Sequence, residues 1–478
     1  MAIKQLYLFS HQASRLYLDL SSITFDDQII LMLPTSMDTR YPYHQFRLVF
    51  HHSIVEHFAQ ELQTEGYNVV VVRELDIQAC LSLCDAASNA VTFVSPIDTA
   101  TTNELHSALD TLDIENATFI EDQFFYLTAF ELHQWFSEQQ HWKMANFYIM
   151  MRKRFNILMD NDKPHLGKYS FDGENRKRAP KDYVNTPAAP VSIDSITQEV
   201  IERIAKEYPD HPKSDNPFFY AVTRAQALDA LQHFIDHHLA TFGVVQDAML
   251  QGNPFMSHAL LSLYMNNGLL SPKEVVDRVL EAYEANKAPI EAVEGFIRQI
   301  LGWREYIRGV YQERMPEYKQ LNFLQNNQDL PEFFWTADTS MNCLHQTIQE
   351  TIDNSYNHHI QRLMILSNYA NLIGVTPRQV SDWFNSMYID SHDWVVTPNV
   401  HGMGLYADGG LMSTKPYIST GNYINKMSDY CSSCYFDPKV KEGPTACPFH
   451  QLYWSFIERH RDSLSSNPRM SLMYRNQK

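Results

Sequence analysis

Short apolar runs and amphipathic stretches alternate through the first third of the chain. LYLF, IILML, NVVVV, VTFV and ATFI are continuous apolar runs of strand length, as strands covered on both faces require. Between them, HHSIVEHFAQELQTEG and TNELHSALDTL carry apolar residues at helical spacing, and the first ends at Gly66, a residue suited to a helix stop. This βαβ series predicts a Rossmann-like parallel sheet flanked by helices. The loop after the first run reads SHQAS. It carries neither a glycine fingerprint nor a P-loop, so a standard dinucleotide or nucleoside-triphosphate site is not expected. From about residue 136 to 195 the rhythm stops while Gly, Pro and charge increase, which predicts a long connection. Beyond residue 196 the spacing is helical, through 272–283, 290–311, 344–373 and 377–388. SPKE (Ser271–Glu274) and TPRQ (Thr376–Gln379) read as capping boxes with Pro at the first helical position. The expected plan is an α/β domain over 1–135, a connector over 136–195 and an all-α domain over 196–478.

Composition narrows the class. At 478 residues the chain exceeds one ordinary core. Hydrophobic residues make up 44% and charged residues 20%, a globular balance. No apolar run reaches the ~18 residues of a membrane span, and MAIKQLYLFS lacks the basic and apolar regions of a secretion signal, so a cytoplasmic protein is expected. A net charge of -18 argues against loose nucleic-acid binding. The charge is uneven, however. Lys143 to Tyr183 holds ten Lys/Arg against five Asp/Glu, including RKRF (Arg152, Lys153, Arg154) and NRKR (Arg176, Lys177, Arg178). Such a strip can dock phosphates, or it can be a solvated loop.

Three cysteines near the C-terminus, Cys431, Cys434 and Cys447, follow C-x2-C-x12-C, with Pro448 directly after the last. The short loop lets two thiolates reach one metal centre. Cys80 and Cys84 lie four apart in the α/β region and read as buried thiols, which leaves Cys343 as the fourth ligand. Zinc and a 4Fe–4S cluster both accept four cysteines, and spacing does not separate them. Unlinked buried thiols are the plain alternative.

Three further stretches carry polar residues in a helical setting. One is HALLSLYMNNGLLSP with IRQILGWREYIR. In the second, NSYNHHIQRLMILSNYA, the spacing lets His358 and His359 lie near Arg362 on one helix face. The third, Ser381–Tyr417, offers Asp390 and Asp393 as partners for that arginine.

These stretches, with KMSDYCSSCY, ACPF, LYWSF, ADGGLMSTKPYIS and the remote Cys343, resemble the photolyase/cryptochrome superfamily, and within it the iron–sulfur bacterial cryptochromes and photolyases, the prokaryotic 6-4 photolyases. The resemblance covers nearly the whole chain. It implies a 4Fe–4S cluster on Cys343, Cys431, Cys434 and Cys447. It implies FAD in the helical domain, surrounded by His258, Leu261, Ser262, Gln299, Arg304, Arg362, Asp390, Asp393 and Asn399. His359 matches the active-site histidine, with His358 beside it, and Tyr417 and Tyr423 match aromatics of the lesion pocket. Trp383 and Trp335 match an electron-transfer chain, although Phe384 stands where some relatives have tyrosine. Leu363 replaces a second histidine of the eukaryotic enzymes. Asp172 and Asp247 match acids linked to Mg²⁺. The α/β domain would hold a 6,7-dimethyl-8-ribityllumazine antenna, near His11, Gln12, Asp38 and Tyr41. SHQAS and LPTSMDTRY are less acidic there than in relatives.

The activity so implied is repair of a flipped pyrimidine–pyrimidone (6-4) lesion in UV-damaged DNA by a monomer. Photoexcited reduced FAD would give the electron and protonated His359 the proton. The basic strip would then meet DNA phosphates. Two other readings share parts of the pattern: a blue-light photoreceptor without repair, and a flavin-free iron–sulfur DNA-binding protein like the primase large subunits.

Overall fold

The computed structural model describes residues 3–33, 41–73, 76–184 and 186–475. All five apolar runs are strands: β1 (Lys4–Phe9), β2 (Gln28–Leu33), β3 (Asn68–Arg73), β4 (Ala90–Val94) and β5 (Thr118–Ile120). They form one parallel sheet in the order β3-β2-β1-β4-β5. Alternate residues serve two cores. Leu6, Leu8, Ile29 and Leu31 face the helix Gln45–Thr64 and share its core with the helical part of the chain. Tyr7, Phe9, Ile30 and Met32 face a smaller core closed by Ile77–Leu83 and Thr99–Thr111. The helix Gln45–Thr64 begins six residues before the expected stretch, where His44 Nδ1 accepts from Phe46 N.

The region read as a connector contains the helix Met144–Phe155 and a two-strand antiparallel pair, Met159–Asp160 with Lys163–Pro164. Aromatic packing stabilises it. Phe147 lies against Trp135, Phe136 and Tyr306 at ring centroids 4.9–6.1 Å apart. Helix starts at Pro272 and Pro377 fall where expected. The capping boxes do not form there. Neither Ser271 nor Thr376 accepts from its helix, and Thr376 Oγ1 donates to Gln328 O instead. Among the described residues, no helix is long and apolar enough to cross a membrane.

Candidate active site

The stretches singled out for chemistry depart from plain α-helix. Arg298–Arg304, Gln361–Ser367 and Pro398–Gly404 are π-helical, each continuous with ordinary helix. A π-turn closes on the fifth residue rather than the fourth, so one residue bulges, and such turns concentrate at functional sites. Gln299 and Arg304 lie on the first, Arg362 on the second and Asn399 on the third. A Cβ at Gly404 would stand 2.9 Å from Ser367 Cβ and Oγ, so a glycine lets the second and third segments meet.

These segments frame a cleft. The His258 and His358 rings stack with centroids 4.5 Å apart and planes within 9°. His258 Nε2 lies 3.1 Å from Gln246 O, while buried His358 has no protein partner at either ring nitrogen. His359 is solvent-accessible, yet its pKa falls to about 4, first through burial and then through Arg362 and Arg176. Reached by water and walled by protein, the ring stands in an internal cleft. Burial also lowers His258 to about 4 and His358 further, so all three imidazoles are neutral at neutral pH. The protonated His359 expected from the resemblance is therefore not the resting state.

Arg362 is held from several sides. Nε donates to Asn357 O at 2.7 Å, the two terminal nitrogens donate to Asp390 at 3.0 and 3.3 Å, and the guanidinium lies 3.9 Å from the Tyr388 ring centroid. Asp390 also accepts from Ser262 Oγ at 2.8 Å. Leu261 beside it is buried. Asp393 does not join this group. It opens the helix Asp393–Thr397 and is turned toward Tyr311, whose hydroxyl donates to it at 2.6 Å, and toward Lys319 Nζ at 2.9 Å. Gln299 and Asn399 each donate back to their own helix, at Gly295 O and Val395 O.

A second charged group borders His359. Arg176 lies 3.1 Å from Asp172, which also accepts from Arg298 at 2.7 Å. Burial raises the Asp247 carboxyl, Arg176 lowers it and Asp172 raises it. Tyr423 is raised by burial and Asp247, against Arg176. The two aspartates, Arg176, Tyr423 and His359 thus share one electrostatic neighbourhood. Asp172 is nevertheless spent on two arginines, so a cation there would have to displace them. Tyr417 is exposed.

Cys343, Cys431, Cys434 and Cys447 line one cavity, with Met341, Ile424, Phe436 and Phe449. Cys343 comes from the helix Asn342–Asn354 and Cys447 precedes the helix Pro448–Arg459. Asn342 Nδ2 donates to Tyr430 O at 2.8 Å and so ties the first helix to the Cys431 loop. Burial pushes Cys431 up to about 12 and Cys343 further, and the neighbouring thiols add to both. Four thiolates can coexist there only around a positive group, which fits a metal cluster. Among the described residues, no three His, Cys, Asp or Glu side chains close on one point as a lone ion requires. Gln361 Nε2 donates to the hydroxyl of Tyr430, beside this cavity, at 2.9 Å and to Glu350 at 2.5 Å. One glutamine thus links the cysteine cavity to the π-turn of Arg362.

The deoxyribodipyrimidine photo-lyase-related protein family matches residues 8–220. A (6-4) photolyase of Agrobacterium fabrum is 41% identical over 460 residues, 94% of this chain and 90% of the relative. The chain belongs to the photolyase/cryptochrome superfamily. FAD is the cofactor of that superfamily. The fold resembles a bacterial class III photolyase from Agrobacterium tumefaciens, with TM-score 0.59 and 13% identity over 97% of this chain and 92% of that one. A Synechocystis cryptochrome gives TM-score 0.57 and 14% identity over 97% and 93%.

Other residues expected from the superfamily fall in unequal places. A second cavity opens between the sheet and the helical region, lined by His11, Asp98, Asp122, Phe125, Asn266, Arg304, His392 and Trp394 among others. Arg304 belongs here rather than with Arg362. It donates to Phe124 O at 2.8 Å and stacks over Phe125 at 4.1 Å and Trp394 at 5.2 Å. Of the expected antenna residues that the structure describes, only His11 lines this cavity. Gln12 spends its amide on Phe9 N and Val94 O. Tyr41 packs edge-on against Trp335, and Asp38 lies outside the described residues. His392 and Trp394 were not singled out from the sequence, because their lining role depends on packing across the sheet.

The basic strip divides as well. Arg152 is fully buried and donates to the carbonyls of Ile157, Leu158 and Tyr169, so it is a structural clamp and not a phosphate contact. Arg154 pairs with Glu131. Lys153, Arg176, Lys177 and Arg178 are exposed.

Proposed function

We propose that the protein is a light-driven DNA lyase that reverts pyrimidine–pyrimidone (6-4) photoproducts. The observation that carries this is 41% identity, along nearly the whole chain, with a (6-4) photolyase. The cleft fits the role: His359 stands accessible beside the fixed Arg362–Asp390 pair. His258, Leu261, Ser262, Gln299, Arg362, Asp390 and Asn399 would hold FAD, and the unpartnered nitrogens of His358 suit a polar ligand edge there. FAD supplies the light-driven electron.

The chain's own residues do the rest. Lys177 and Arg178, with Lys153 and Arg176, meet phosphates beside the lesion. Exposed Tyr417 and half-buried Tyr423 would offer aromatic faces to the flipped bases. His359 enters neutral and donates an N–H hydrogen bond. Negative charge on the lesion and phosphates then raises its pKa, so the imidazole takes a proton and passes it to the bridging group. The four cysteines would carry a 4Fe–4S cluster. The cavity of His11, His392 and Trp394, with its aromatic faces, would take the lumazine antenna. Asp247 is the better of the two aspartates for Mg²⁺. The protein works as a monomer in the bacterial cytoplasm, its chain parted at about residues 135 and 195.

The test is an oligonucleotide carrying one (6-4) lesion, mixed with reduced flavin-loaded protein and Mg²⁺. Repair is expected in blue light and not in the dark. His359→Ala should lower the rate by about 10²–10⁴-fold, the usual worth of a positioned acid. Flavin-loaded protein that repairs nothing would leave the photoreceptor reading instead.

A further inference from the structure

Trp383 is fully buried on the helix Pro377–Met387, and its indole N–H has no acceptor among the described residues. An indole oxidised there has no base to take its proton, so the oxidised state is not trapped at Trp383. Four aromatic neighbours border it, and one of them, Phe334 at 5.3 Å between centroids, is a phenylalanine and hard to oxidise. Phe384, at 5.5 Å between centroids, is hard to oxidise. Tyr388 lies at 5.8 Å, but it is buried, its hydroxyl donates to Asn357 Oδ1 at 2.8 Å, and the Arg362 guanidinium lies 3.9 Å from its ring. A fixed cation at that distance opposes removal of an electron. Trp335, at 6.3 Å, is half-buried, and among the described residues no Arg or Lys lies over its ring.

Beyond Trp335 stands Tyr41. Its ring is edge-on to the indole with centroids 4.9 Å apart, half-buried and next to exposed Pro42. Both ring pairs lie at the centroid spacing of aromatic contact. The turn that carries Tyr41 is pinned to the helix that carries Trp383. His44 N donates to Ser386 O at 3.0 Å, and Ser386 Oγ donates to Pro42 O. The contact is therefore built into the junction of the two halves of the chain.

We propose that Tyr41 is the terminal electron donor of the tryptophan pair. The inference rests on the reading that Trp383 supplies electrons to photoexcited flavin. Trp383 gives one electron to the flavin, Trp335 returns one to Trp383, and Tyr41 returns one to Trp335. The Tyr41 O–H bond breaks in this last step and the proton goes to water. A thiol in solution then restores the phenol with one hydrogen atom, and two thiyl radicals couple to a disulfide.

The test is electron paramagnetic resonance of flavin-loaded protein, illuminated without thiol and frozen. Tyr41→Phe, Tyr388→Phe, Trp335→Phe and Trp383→Phe are compared with wild type, each first checked for bound flavin. Wild type and Tyr388→Phe should show a neutral tyrosyl radical. Tyr41→Phe should lose it and show a tryptophanyl radical. A tyrosyl signal that survives in Tyr41→Phe overturns the proposal, as does its loss in Tyr388→Phe alone. If Trp383→Phe keeps the wild-type signal, the tryptophan route itself falls. If Trp383→Phe abolishes it while Tyr41→Phe does not, the route stands and only Tyr41's role is lost.

Discussion

Gly421 is the residue on which the cysteine cavity turns. A Cβ there would stand 2.7 Å from Cys447 Sγ, and no real Cβ contact is that short. Gly421→Val is expected to push the sulfur out of place and lower iron bound per chain. An iron assay with visible absorption checks this, and undiminished iron would remove Cys447 from the ligand set. The same scale separates neighbours of like type. Arg152 and Lys153 stand side by side, yet one satisfies three carbonyls from inside the protein and the other faces water. His358 and His359 differ likewise, one buried with orphaned nitrogens and one open to the cleft. Helical spacing supplies the pairing of such residues but not which of them turns inward, because that depends on elements far along the chain.

At the scale of elements, the helix Glu305–Arg314 locks the early chain to the late one. Glu305, fully buried, accepts from Tyr126 N at 2.9 Å and pairs with Arg308. One helical turn on, Gly309 leaves room for the Phe136 ring, which a Cβ would overlap. Gly309→Ala gains helix propensity of about 1 kcal/mol but overpacks a ring wedged among Trp135, Trp142 and Tyr306. Overpacking costs about 1–3 kcal/mol, so net destabilisation up to about 2 kcal/mol is expected from urea unfolding. An unchanged midpoint would mean that Phe136 moves aside freely. The π-segments teach a different lesson. Their apolar spacing passes for ordinary helix in the sequence, since one inserted residue per segment barely disturbs a 3.6-residue period. Closure onto the cleft selects the wider turn.

Across the whole molecule, buried histidines set the response to acid. Burial lowers His11, His44, His238, His258 and His460 to about 4 and His401 to about 3. Unfolded, each would titrate near 6.5. Between those values the unfolded chain binds more protons, so stability rises with pH and is lost as pH falls from about 6.5 toward 4. Each such group adds up to about 1.4 kcal/mol per pH unit. Asp98 and Glu350, raised to about 7, act the other way over part of this range: they favour the fold at low pH and lose that contribution as pH rises through 7. Six histidines outweigh two carboxyls. Thermal unfolding followed from pH 6.5 down to about 4 should therefore show a falling midpoint, and a flat profile would mean that these imidazoles are not desolvated.

Local and repetitive features were legible in the order of residues alone. The five apolar runs are the five strands of the parallel sheet, because strands covered on both faces need unbroken apolar stretches. The cysteine spacing and the remote Cys343 named the four side chains that line one cavity. Arg362 with Asp390 was also legible, through opposite charge. Packing between distant elements settled the rest. It moved Arg304 to the cavity between sheet and helices, turned Asp393 to Lys319, buried Arg152 and set Tyr41 on Trp335. In each case the partner lies on a separate element, so the outcome rests on how elements dock and on which polar atoms burial leaves to be satisfied. Protonation follows the same rule. A histidine's type names its chemistry, but only the density of protein around His359 and the charges of Arg362 and Arg176 make it neutral at rest.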